Sequence, residues 1–517
     1  MGERRVRLFA GCQPEIAASA DGRILAVGPG ARATAGVDAE VVEAWGQALP
    51  GLADSHIHLE SLARLKLEVD LAGSRSVEEA LSRIRRHAAT LPANAWVVGR
   101  GWYNDAWPGG HLPSRHSLDG AAGGRPALLL RKDAHSAWVS SAALAAAAIT
   151  RDTPDPPGGV IDRDSGGEAT GVVREHAVQT IQRCVPRPAS DLLDRAMIGA
   201  LRDLARLGLT SLHSMDTPAA FASLSRLRAR RPLPARVSYN LPAARIEDAE
   251  RLGIRTGLGD DHLRIWGVKA FLDGSLGSRT AEMLDGAGVQ VLPQDELVEL
   301  CRRCAANGLN LCLHAIGDGA VRRALEALEP LAGSWPGWRP RIEHAQCVDP
   351  ADVPRFRRAG AVASMQPIHA TADRELADRE WAQRTRHAYA WRVLLEADAP
   401  LAFGSDAPVE SADPLLGIDA ATVWRRRAGW HPELAVTVAQ AIRAYTRGAA
   451  YAVGMEDRLG RLRPGMLCDL TLVHAGRVTA TVVGGRVTWR RRHGGLTIRP
   501  GETSARGTDT DRSSSGR

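Results

Sequence analysis

The chain has 517 residues, 44% hydrophobic and 24% charged, with a formal net charge of +7. This length fits two or three ordinary domains, or one large barrel carrying insertions, and the composition argues against general disorder. Basic residues are scattered among acids instead of forming a block beside aromatics, which argues against nucleic acid as a partner, and no stretch reaches the ~18 apolar residues of a membrane span.

In chain order, residues 1–10 lack the apolar run of a secretory signal, so a cytoplasmic protein is expected. Short apolar runs at 15–18, 22–27 and 41–44, separated by turn residues, predict strands, and residues 1–47 read as the first part of a β-sandwich. The next apolar run, 48–54, is the first of eight that are rich in β-branched residues and finish in polar ones. The others fall at 209–214, 236–241, 266–272, 309–314, 341–345, 362–366 and 401–405. Eight such runs, most of them followed by helical periodicity, predict a closed parallel barrel over 48–455. The first two runs are far apart, so an insertion is expected at about 60–190, with its own short strands at 96–99 and 127–130, read as a lid-like subdomain.

Helices are predicted at 192–207, stopping at Gly208, and at 296–307, stopping at Gly308. The second carries Cys301 and Cys304; with no second CxxC pair in the chain, they are expected to pack on the helix face and not to bind zinc. The seven cysteines, an odd number, do not suggest a disulfide framework. Strands return at 469–473, 478–483 and 486–489, with Gly484 and Gly485 suited to a tight hairpin turn, so 456–500 is read as the second part of the sandwich. The tail, 501–517, has little to bury and is expected to be disordered. The fold class expected is α/β: a (β/α)8 TIM barrel with a composite β-sandwich from both termini and an insertion subdomain after the first barrel strand.

Several barrel runs end in residues that carry chemistry. His56 and His58 close the first run; residues i and i+2 of an extended strand face one side, so both rings point together. Lys269 lies in the fourth run among apolar residues. It is one of only three lysines (Lys66, Lys132 and Lys269) among 66 basic residues, which marks it in a chain that otherwise uses Arg. Burial would strip its hydration and lower its pKa. A neutral amine can add carbon dioxide to become a carbamate able to bridge two metals, a role closed to Arg. His314 ends the fifth run, His344 the sixth, and Asp406 follows the eighth. Individually these residues have structural readings, a capping acid in the case of Asp406. Their joint position, at the end of a barrel where active sites sit, points to a metal site.

The order of these residues resembles the amidohydrolase superfamily from about residue 7 to residue 490. The segments at 50–58 and 269–280 are similar to its family 3 branch, which contains N-substituted formamide deformylase-like enzymes. The segment 460–470 resembles that family's return into its sandwich, with Cys468 where Ala is usual. The resemblance implies that His56 and His58 hold the more buried of two divalent metals, zinc being the expected ion, and that His314 and His344 hold the more exposed one. Carboxylated Lys269 would bridge them, and Asp406 would touch the first metal and take the proton of the attacking water.

The function expected is therefore hydrolysis of a C–N bond, an amide or an N-formyl or N-acyl group, in a small molecule. A deaminase using a single metal and an inactive scaffold remain open beside it; Lys269 favours the first reading, since one metal needs no bridge. His135 and His369 read equally as substrate-facing or structural, and Trp102 and Trp107 as pocket lining or as the insertion's own core. The expected partner is an amide-type small molecule, with no nucleic acid and no membrane, and a homo-oligomer is compatible with the sequence.

Overall fold

The computed structural model describes residues 5–132 and 135–491. Its centre is an eight-stranded sheet, with β1 at Leu52–Ile57, β2 at Leu209–Ser214, β3 at Arg236–Pro242 and β4 at Leu263–Phe271. The sheet continues through β5 at Asn310–Ala315, β6 at Arg341–His344, β7 at Val362–Met365 and β8 at Leu401–Phe403. Neighbours follow chain order and every pairing is parallel. All residues of β1, β2, β6, β7 and β8 are buried, as expected of strands covered on both faces.

The ring closes between β8 and β1 through contacts just beyond the strands. Ile57 and Ala407 form a parallel bridge, Asp406 N donates to His56 O at 2.7 Å, and His58 N donates to Ala407 O at 2.9 Å. Asp54 reinforces this seam, its carboxylate accepting from Ser405 N at 2.9 Å and from Ser405 Oγ at 2.5 Å. Gly404 is required there: a Cβ would lie 2.5 Å from His56 N and 2.7 Å from Asp54 Oδ1.

Helices occupy the gaps, among them Pro218–Arg230, Gln294–Ala306, Asp318–Leu328 and His369–Glu380. The first starts where Thr217 caps Ala219 N and Pro218 supplies a pre-set φ at the opening turn. The helix expected at 296–307 is Gln294–Ala306, and both Cys301 and Cys304 are buried on its inner face.

The run expected at 48–54 is in fact two strands. Residues 48–50 belong to the long strand Glu40–Pro50, and Gly51 N bonds to Asp469 O before the barrel begins at Leu52. Glu40–Pro50 lies inside a seven-stranded sheet built from both ends of the chain. Its order is Arg486–Arg490, Arg477–Val483, Leu470–His474, Glu40–Pro50, Arg7–Gln13, Ile16–Ala18 and Ile24–Val27. The strand Arg7–Gln13 was not expected from the sequence. Phe9, Ile16, Ile24, Leu470, Leu472 and Val482 form one buried cluster within this sheet, each such side chain contributing roughly 1.5–3 kcal/mol. Gly484 and Gly485 turn the final hairpin with φ of 55° and 70°.

A buried ion pair ties this sheet to the barrel: Arg236, at the start of β3, grips Asp469 through two bonds of 2.7 and 2.8 Å. Residues Glu60–Ala200 make a separate compact unit with a six-stranded sheet. Trp102 and Trp107 are buried in that unit's own core, their indole N–H groups donating to Leu129 O and Ser74 O, which supports the core reading for both. Among the described residues, no helix is long and apolar enough to cross a membrane. The tail expected to be disordered, 501–517, lies outside the described residues.

Candidate active site

The six residues singled out in the sequence lie at or just beyond the carboxyl ends of β1, β4, β5, β6 and β8, and the structure brings them together. His56 Nε2 is 3.5 Å and His58 Nε2 is 3.1 Å from Asp406 Oδ1. The ligand atoms of these three residues all lie within 4.8 Å of one another. The rings then run on in sequence, with centroids 4.7 Å apart for His56 and His344 and 4.5 Å for His344 and His314. Lys269 lies in β4, buried, with its Nζ 4.7 Å over the ring of Phe271.

Two backbone distortions assemble the group. In a regular strand Glu343 and His344 would face opposite sides, but His344 has φ of 72° and Ala345 43°, so the alternation breaks where β6 ends. Asp406 has φ of 61° just after β8. Left-handed backbone at residues other than glycine is unfavourable and concentrates at functional sites. Asp406 caps no helix; the next one, Pro414–Asp419, is capped by Asp413.

Each of the four imidazoles has one nitrogen against an oxygen. His56 Nδ1 faces Glu343 Oε2 at 2.7 Å, and His58 Nδ1 faces Met215 O at 3.2 Å. His344 Nδ1 faces Gln366 Oε1 at 2.8 Å, and His314 Nε2 faces Gly274 O at 2.9 Å. The Gln366 amide is oriented by its own bond to Ser364 O, which leaves its oxygen toward His344. With the proton held on these nitrogens, the opposite one in His56, His344 and His314 is free to donate a lone pair; in His58, burial is outweighed by Asp406 beside Nε2, which raises that imidazole's pKa.

The electrostatics agree. Burial, reinforced by the Lys269 charge, pushes the His56 imidazole down to about 4 and that of His314 down to about 3. Burial, then the neighbouring His314, holds His344 well below its ordinary range. These three rings are therefore neutral near pH 7. For Asp406, burial alone would favour the acid, but the contact of His58 Nε2 with Oδ1 at 3.1 Å outweighs it and holds the carboxyl ionised. Burial also lowers Lys269. His56 Nε2, Asp406 Oδ1 and Lys269 Nζ are buried polar atoms with no hydrogen-bond partner. Neutral imidazoles, a carboxylate and unsatisfied donor atoms converging in one place fit a divalent metal.

Residues not singled out in the sequence complete the site. Glu343 and Arg341, fully buried, stand behind His56. Asp273 accepts from Ile316 N and Gly317 N and lies 3.5 Å from His314 Nε2. The signal available for Arg341 and Glu343 was two charges with i, i+2 spacing inside an apolar run. Of the secondary candidates, His369 is buried, with Nε2 3.6 Å from Asp406 Oδ2. His135 belongs to the separate unit, exposed, with its Nδ1 3.0 Å from Glu175.

A parallel (β/α)8 barrel with imidazoles and a carboxylate clustered at its strand ends is an arrangement suited to metal-dependent hydrolysis. The chain belongs to the amidohydrolase family, whose sequence model matches residues 41–489. It is 30% identical over 473 residues to YtcJ of Bacillus subtilis, covering 86% of this chain and 89% of YtcJ. It is 26% identical over 481 residues to the N-substituted formamide deformylase of Arthrobacter pascens, covering 87% and 88% of the two chains. The crystal structure of a metal-dependent hydrolase of Pyrococcus furiosus, itself uncharacterized, superposes with a TM-score of 0.75 at 28% identity, over 89% of this chain and 97% of that one.

Proposed function

We propose that the protein hydrolyses a C–N bond of a small amide, an N-formyl or N-acyl amine, at a site that holds two divalent metals, zinc being the expected ion. His56, His58 and Asp406 would hold one metal, His314 and His344 the other, and Lys269, carboxylated on Nζ, would bridge them. The observation that carries this reading is Lys269 itself: a buried amine among the imidazoles, with no hydrogen-bond partner for Nζ. A charged ammonium there is costly, whereas a carbamate would be an anion whose oxygens could serve as ligands to cations held by the imidazoles.

When bound, such ions polarise the substrate carbonyl and make water nucleophilic near neutral pH. Asp406, ionised with Oδ1 engaged by His58, accepts the proton of the attacking water at Oδ2. It then passes that proton to the departing nitrogen. The likeness to an N-substituted formamide deformylase supports a formyl or similarly small acyl group.

One observation favours a second reading, a deaminase with a single metal: His56, His58 and Asp406 are already close enough to form one site without the others. Elemental analysis of the purified protein separates the two readings, followed by a screen of N-formyl and N-acyl amines with metal-loaded protein. About two metals per chain and amide hydrolysis support the first reading. One metal with release of ammonia supports the second, and a protein that takes up no metal defeats both and leaves the inactive scaffold.

A further inference from the structure

We infer that the buried Arg341–Glu343 pair is a positioning device that fixes the His56 proton on Nδ1 and so leaves Nε2 as the donor atom. This inference rests on the metal site proposed above. Both side chains are fully buried on β6, two residues apart and thus on one face of the strand. Burying an ion pair strips the hydration of both ions before their attraction is counted, and apolar residues of similar volume often serve stability as well or better. A barrel core that keeps such a pair needs another reason for it.

The contacts supply that reason. Glu343 Oε2 is 2.7 Å from His56 Nδ1 and accepts from Arg341 Nη2 at 3.1 Å, while Oε1 lies 2.8 Å from Arg341 Nε as a charge contact outside hydrogen-bond alignment. Arg341 spends its remaining donors on the barrel wall: Nη1 on His213 Nδ1 at 2.9 Å, and Nη2 on Ser364 Oγ at 2.9 Å and on Ser55 O. The guanidinium thus ties β6 to β1, β2 and β7 and cannot swing. The guanidinium of Arg341, always charged and in contact with both carboxylate oxygens, favours Glu343 as an anion.

An ionised carboxylate only accepts, so the proton between it and His56 sits on Nδ1. Nε2, which has no hydrogen-bond partner, is then left with its lone pair toward Asp406. His58 and His344 are backed by neutral oxygens, and His314 by Gly274 O with the Asp273 carboxyl farther off at 3.5 Å, whereas His56 meets an anion directly at 2.7 Å. A charged acceptor increases the basicity of the ring it supports.

The test compares Zn2+ affinity, by chelator competition, among the wild type, Glu343→Gln, and the double variant Arg341→Met with Glu343→Leu. Glu343→Gln should bind Zn2+ about 10- to 100-fold more weakly. The double variant should unfold at or above the temperature of the metal-free wild type and yet show the same weakened binding. A folded variant with wild-type affinity overturns the inference. Nitrogen NMR of 15N-histidine-labelled, metal-free wild type, with His56→Asn for assignment, reads the tautomer without disturbing the pair. Protonation at Nδ1 supports the inference, and protonation at Nε2 overturns it. A wild type that takes up no Zn2+ sinks the metal reading, while the tautomer still reports on the pair.

Discussion

At the scale of single residues, the two groups with the most distinct chemistry are Asp406 and Lys269. Asp406→Asn keeps an oxygen beside His58 but cannot take a proton, so metal content should stay near the wild-type value while turnover falls by roughly 10²- to 10⁴-fold. Metal analysis and steady-state rates on the same preparation check this, and near-normal turnover would remove Asp406 as the base. Lys269→Ala should lower metal content, and millimolar acetate or formate should restore part of it by supplying the missing carboxylate. Unchanged metal and rate would refute the bridge. The chain made these two positions legible: an aspartate after a strand-end glycine, and a lysine where the other cations are almost all arginine. What it concealed was how His344, visible as a residue, turns into the site. Counting alternate residues along β6 sets His344 and Glu343 on opposite sides, and only the left-handed φ of 72° brings the imidazole round. No period-two pattern encodes that turn.

At the scale of elements, the eight barrel strands follow runs of apolar residues visible in the sequence, because a parallel strand buried on both faces needs apolar residues at nearly every position. The first strand was misplaced for the same reason. Residues 48–50 are apolar or neutral like those that follow, and nothing in composition shows that they pair with Leu470–Leu472 while residue 52 onward pairs with β2. The strand Arg7–Gln13, RLFAGCQ, has an apolar stretch of only three residues before Gly11, too short to stand out from composition alone. The seam between β8 and β1 yields a sharp expectation. In Gly404→Ala the new methyl meets the His56 amide and the Asp54 carboxylate, so stability should drop by about 1–3 kcal/mol, with metal retention falling in parallel. Urea unfolding and metal analysis together check this, and a variant that loses neither would show that the seam can relax.

At the scale of the whole molecule, the barrel and the sheet made by the two chain ends are joined by the bidentate Arg236–Asp469 pair. Removing one partner strands the other charge in the interior, so Asp469→Ala should cost about 3–5 kcal/mol in urea unfolding; a loss below 1 kcal/mol would contradict that joint. Beside it, burial and then the charges of Arg236 and Arg228 push His262 down to about 4 from its ordinary 6.5. Protonation is therefore disfavoured in the folded protein. Stability should be level above pH 6.5 and fall between 6.5 and 4, and His262→Asn should flatten that limb in melts recorded at pH 7 and pH 5. This joint could not be read from the chain, since its partners stand 233 residues apart.

The backbone of His56 is hydrogen-bonded across the last joint of the ring, and the same residue presents its imidazole at the mouth. Wall and grip are therefore one piece of machinery. Any thermal or solvent-induced loosening at that joint would drag an imidazole away from its companions before the rest of the cylinder had unravelled. A divalent cation bound by His56 would also brace that joint, and stripping the metal should then loosen the wall there.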